Sequence, residues 1–118
     1  MLYTELRVGD DTYKLRLTTK NGVALERALG YNPITMLMEI EKGKMPKLND
    51  IMIMLNAMLQ PLHHGITLDK TYEIFDDYAV KEGKSMFDLI PIFVEVFQNC
   101  GYITKADQAE VEAEEAKN

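Results

Sequence analysis

Three groups of side chains in this chain could do chemistry. His63 and His64 stand together in "LHHGI", Asp69, Glu73, Asp76 and Asp77 follow at three- and four-residue steps, and Cys100 is the single thiol. Histidines can hold a metal, but on a helix the useful spacing is i, i+4, which sequence neighbours do not provide. The pair reads as a surface loop. Carboxylates three and four residues apart share one side of a helix, where they could act as acid and base or bind a cation. No basic activator of a nucleophile, no glycine-rich phosphate loop and no calcium-loop spacing accompanies them, so they read as a solvated face. Cys100, beside an apolar helix end, reads as a small buried hydrophobe rather than a nucleophile. The expectation is a non-enzymatic chain with no cofactor and no metal.

The elements that position these residues follow from periodicity. In "LYTELRV" the residues Leu2, Thr4, Leu6 and Val8 alternate with Tyr3, Glu5 and Arg7, and in "YKLRLT" Tyr13, Leu15 and Leu17 alternate with Lys14, Arg16 and Thr18. A period of two with "GDDT" between the runs predicts a β-hairpin, which needs an apolar support because a lone hairpin is marginal in water. Helices follow. Thr19 is the expected cap of the first, with Val23, Leu25, Ala28 and Leu29 as its apolar set and Gly30 as its stop. Asn32 caps the second, with Pro33 in its first position, and Gly43 ends it. A third covers roughly residues 48–62. Thr67 or Asp69 starts a fourth, with Leu68, Tyr72, Phe75 and Ala79 along one face and Gly83 as its stop. The fifth carries either Ser85 or Asp88 as its cap. Asp88 is preferred, because that start puts Pro91 in the first turn, where it breaks no hydrogen bond. Gly101 closes the helix. The fold class expected is α+β, mainly α, with an N-terminal hairpin packed on a bundle of about five helices. Residues 1–103 form the globular interaction domain. Residues 104–118, with five acids, two bases and Val111 as the one large apolar side chain, form an acidic mobile tail.

Composition narrows the function. The 118 residues are 47% apolar and 27% charged, enough for one domain that buries about two-thirds of its unfolded surface. A net charge of −6 disfavours nucleic acid and anionic membranes, because a phosphate-binding surface needs lysines and arginines in excess. A single cysteine fits a reducing compartment. The opening "MLYTELRVGDD" lacks signal-peptide character, and the most apolar run, "IMIML", is far short of the ~20 residues of a membrane span. These features place the protein in the cytoplasm.

The stretch "LMEIEKGKMPKLNDIMIML" resembles the segment that joins a recognition helix to the next helix in repressor-type helix-turn-helix domains. Its groove-reading positions would be Ile34, Met36, Leu37 and Met38, whereas base readout calls for Arg, Gln, Asn or Lys. Between Tyr31 and Leu62 three lysines face three acids, so no field gathers a phosphate backbone. A DNA-binding regulator is therefore the alternative rather than the leading reading. The third helix is more telling. Leu48, Ile51, Met52, Leu55, Met58, Leu59 and Leu62 already supply one apolar face, Ile53 and Met54 point elsewhere, and six of the eight methionines lie between Met36 and Met58. A helix apolar all round is either central to the core or shared with a partner, and methionine-rich surfaces adapt to varied partners. The candidate partner surface is Met52, Ile53, Met54 and Met58 with Phe93 and Phe97. The competing account is that the hairpin or the fifth helix, through Phe93 and Phe97, covers this side.

From residue 6 to residue 102 the chain also resembles the short tail assembly chaperones of long-tailed, siphovirus-type phages and prophages of Gram-positive bacteria. The resemblance rests on "YKLRLTT", "LERALGYNP", "LMEIEKGKMPKL", "HHGI", "IFDDY" and "DLIPIFVEVFQNCG" in that order, with an acidic tail behind them. It implies a non-enzymatic protein of the bacterial host cytoplasm. Such proteins bind the long helical tape measure protein, keep it soluble and promote assembly of tail tube protein around it. It further implies self-association, and it offers no catalytic residue to carry over.

Overall fold

The computed structural model describes residues 3–104 and residue 107; the expected acidic tail therefore lies almost entirely outside the described residues. Two strands, β1 (Thr4–Val8) and β2 (Asp11–Leu15), precede five helices, α1 (Thr19–Leu29), α2 (Pro33–Glu41), α3 (Leu48–Leu59), α4 (Leu68–Glu82) and α5 (Met86–Asn99). The α+β, mainly α class stands as expected.

The strands pair antiparallel with Leu6 opposite Tyr13 and Val8 opposite Asp11. Gly9 takes φ 61° at the first position of the two-residue turn, the conformation that a II′-type hairpin turn reserves for glycine. The second strand thus starts at Asp11, earlier than the alternation alone indicates, and Leu17 is buried beyond its end. The inward residues Thr4, Leu6, Val8 and Leu15 are buried, as the period of two requires. Among the described residues, four hydrogen bonds clasp the hairpin and the residue after it to the rest of the fold. The Gly9 amide donates to Glu82 Oε2 (2.8 Å), the Lys14 amide to His63 Nε2 (3.0 Å), the Arg16 amide to the Met58 carbonyl (2.9 Å), and Asn99 Nδ2 to Thr4 Oγ1 (3.0 Å).

Helix boundaries follow cap chemistry. Thr18, one residue before the expected Thr19, caps α1 by accepting from the Asn21 amide, and Gly30 at φ 82° ends it. Of its expected apolar set only Leu25 is fully buried; Val23 and Ala28 are exposed. Asn32 and Pro33 open α2 as expected, and Thr67 opens α4. α5 departs from expectation. Ser85, not Asp88, is its cap, in a full capping box: Ser85 Oγ accepts from the Phe87 amide (3.2 Å) and Asp88 Oδ2 from the Ser85 amide (2.8 Å). Pro91 consequently sits inside the helix. The box satisfies orphan donors of the first turn, while Pro91 is on the exposed side, where the carbonyl of Phe87 that it leaves without an amide can meet water.

The core gathers around α3, which packs against α1, α4, α5 and β2. Ile51, Met52, Met54, Leu55, Met58 and Leu59 of α3 meet Ile74 of α4 and Leu89, Phe93, Val96 and Phe97 of α5 in one cluster. Among the described residues, no buried side-chain nitrogen or oxygen lacks a partner.

Candidate partner-binding groove

α4 is turned by one residue from its expected orientation. Its buried residues are Thr71, Ile74 and Tyr78, each one position before the expected Tyr72, Phe75 and Ala79, which is a rotation of roughly 100°. A polar group is accommodated at this angle. The Asn56 amide of α3 donates to Thr71 Oγ1 (3.1 Å), and the Thr71 hydroxyl donates in turn to the Thr67 carbonyl (3.0 Å), so the fully buried threonine is hydrogen-bonded where it faces α3. Asn56 Nδ2 also reaches the Ile66 carbonyl (3.2 Å), and Gln60 Nε2 does so at 2.7 Å, fixing the loop that leads into α4.

Rotation leaves an apolar stripe outside. Leu68 and Tyr72, one helical turn apart on α4, are 40% and 41% exposed, and Leu48 at the start of α3 is 50% exposed although it belongs to that helix's expected core stripe. Between the two helices Leu48, Asn49, Met52, Tyr72, Phe75 and Asp76 line an open groove of about 350 Å³. Met52 is its buried floor. Covering the exposed halves of Leu48 and Tyr72 would return about 1 kcal/mol each. The groove holds apolar side chains, Asn49 and one charge, Asp76.

The residues expected to form the partner surface are distributed otherwise. Met54, Met58, Phe93 and Phe97 are fully buried and Met52 nearly so. Met54, placed outside the core stripe by helical geometry, is a core residue because α3 is covered on several sides at once. Ile53 alone stays half-buried, lining a shallow hollow with Ala24 and Ala28 of α1 and Ala57 of α3. Of the six, only Met52 reaches the groove. Two other members, Tyr72 and Phe75, carried a signal in the sequence: α4 has two apolar stripes, and a surface helix can bury only one.

The chemistry-bearing groups are placed apart. His63 is half-buried beside the Tyr13 ring, with centroids 5.6 Å apart, and its pKa is drawn below the ordinary histidine value by burial and then by the charge of Lys14. His64 is exposed. Asp69, Glu73, Asp76 and Asp77 are all exposed, with Glu73 3.7 Å from Lys70 and Asp77 3.8 Å from Lys81. Cys100 is half-buried and its thiol donates to the Phe97 carbonyl at 3.5 Å. Tyr31 donates to Asp50 Oδ2 (2.8 Å), and burial together with that carboxylate pushes its pKa up to about 12. Among the described residues, no three His, Cys, Asp or Glu side chains form a group that could hold a metal ion, and no helix is long and apolar enough to cross a membrane.

No curated protein and no solved structure matches the chain. A family model does match, over residues 3–117, and by it the chain belongs to a family described as a family of unknown function, DUF6096.

Proposed function

We propose that this protein is a tail assembly chaperone of a siphovirus-type phage or prophage. It binds the tape measure protein in the host cytoplasm, keeps it soluble, and promotes assembly of the tail tube protein around it without catalysing a reaction. The ordered series of segments from residue 6 to residue 102 supports this reading. The observation that carries it on the structural side is the groove formed by Leu48, Met52, Tyr72 and Phe75, an apolar trough between two helices of the kind that accepts an amphipathic helix. A client made of long helices offers many such segments, and methionine at the floor adapts to their differing side chains.

DNA reading is the weaker account. Met36 and Leu37 of α2 are buried, and the exposed positions of that helix are Thr35 and Glu41, which present an acid where a phosphate backbone would lie. The test is co-expression with a tape measure protein, a very long coiled-coil protein of a siphovirus-type phage. Soluble, co-purifying client with the unaltered chain, and aggregated client with Leu48→Glu plus Tyr72→Glu, is the result expected. A client equally insoluble with and without the chain, or salt-sensitive micromolar binding of duplex DNA, overturns the proposal.

A further inference from the structure

We propose that the α3–α4 groove takes a short amphipathic helix with lysines or arginines along one flank. This deepens the proposed function and rests on its reading of the groove as the client site. Size limits the occupant first. Tyr72, Phe75 and Asp76 line the groove over roughly one turn of α4 and Leu48 and Met52 over one turn of α3, while exposed Leu68, a turn before Tyr72, extends the apolar stripe beyond the groove to about two turns. A helix laid there makes contact through apolar residues at i, i+3 or i+4, and i+7.

Charge then selects the flank. Asp76 lines the groove, with Glu73 and Asp69 three and seven residues before it on the same side of α4. α4 as a whole carries five acids against two bases. Among the described residues no lysine or arginine lines the groove; Lys47, next to Leu48 in sequence, lines a different hollow with Tyr31 and Asp50. Two other occupants fit poorly. Residues 104–118 hold five acids, two bases and a single large apolar residue, Val111, so they bring neither the anchors nor the opposite charge. A second copy joined through this groove would bring the same acidic flank, with no lysine or arginine of its groove lining to oppose Asp76.

The test is a titration of the full chain, followed by fluorescence anisotropy, with two labelled helical peptides. Both carry leucines at i, i+4 and i+7; one has lysines on a single flank and its twin has glutamates there. The lysine peptide is expected to bind, to weaken as salt is raised, and to exceed its twin by about ten-fold or more at low salt. Leu48→Glu with Tyr72→Glu should abolish that binding while the circular-dichroism melt stays cooperative. Glu73→Lys with Asp76→Lys, at exposed positions, should reverse the preference, so the conclusion does not depend on the apolar variant folding. Equal affinity for both peptides, binding of neither, or an unchanged preference in the charge-reversed variant overturns the inference. So does a dimer of the unaltered chain that Tyr72→Glu dissolves in sedimentation, because the groove would then hold a second copy. If the tape measure client is solubilised while the twins bind alike, the charge inference fails and the chaperone reading stands. If the unaltered chain does not hold the client, the chaperone reading itself fails.

Discussion

Ile53 and Met54 are neighbours on α3, and truncating each to alanine should give very different results. Met54 is fully buried among the core residues, whereas Ile53 lines a shallow hollow beside Ala24, Ala28 and Ala57. Met54→Ala removes a fully enclosed side chain from a cluster that cannot close up without moving several helices, which costs about 2–4 kcal/mol. Ile53→Ala gives up only partial burial, about 1 kcal/mol. For a chain of this length 1 kcal/mol moves the melting temperature by roughly 3–5 °C, so Met54→Ala should melt roughly 6–20 °C lower. Urea unfolding followed by circular dichroism measures both, with an unchanged m-value as the sign that the two states compared are the same. Charged substitutions sharpen the contrast. Ile53→Glu should keep a cooperative melt, and Met54→Glu should lose it, because an unpaired carboxylate would lie in the core. Equal losses for the two alanine variants, or a Met54→Ala cost below about 0.5 kcal/mol, would refute the placement of Met54 and return it to a free face of α3.

Two further outcomes follow from local geometry. At the start of α5, Ser85→Ala should cost about 1 kcal/mol by removing the cap, while Pro91→Ala at an exposed interior position should gain about 1–3 kcal/mol by restoring an amide donor to the Phe87 carbonyl; thermal melts that leave both variants unchanged would instead put the helix start at Asp88. His63 should make stability depend on pH: its folded pKa lies below the unfolded value, so its contribution is whole above the ordinary histidine range and is lost as pH falls through the folded pKa, when protonation also removes the acceptor for the Lys14 amide. Melts between about pH 7.5 and about pH 5 should fall more steeply for the unaltered chain than for His63→Gln, and parallel slopes would remove His63 from that role.

The outline of the fold was legible because its signals are local. The alternation of Thr4, Leu6 and Val8 marks an inward strand face, and Asn32 with Pro33 marks a helix start, whatever packs around them. What failed to show in the sequence depends on distant partners. The rotation of α4 brings Thr71 to Asn56, fifteen residues away on another helix, and a buried threonine has no apolar signature to announce it. Roles are exchanged on both helices: Tyr72, expected inside, lines the surface because α4 is turned, and Met54, expected outside, fills the core because α3 is covered on several sides at once. For α5 two local rules competed, the capping box of Ser85 and Asp88 against the cost of Pro91 within a helix. The box prevailed because Pro91 faces outward, and its facing was not readable until the bundle was assembled.

The dimensions of the groove bear on how such a protein would handle a client. A contact about two turns long with three or four apolar anchors is far smaller than a standard protein interface, so each engagement of the proposed client would be weak and short-lived. Weak binding suits a holder that must give way when tube subunits close around the same helices. The acidic flank adds what small area lacks, since complementary charge raises the rate of encounter without lengthening the stay. A long helical client bearing repeated basic-flanked stripes would then be covered by many copies, each exchanging quickly, and its solubility would depend on the concentration of the holder rather than on one tight complex. Raising salt should accordingly loosen the whole assembly in step with the single groove, because the screened quantity, the attraction to Asp76 and its neighbours, is the same in both.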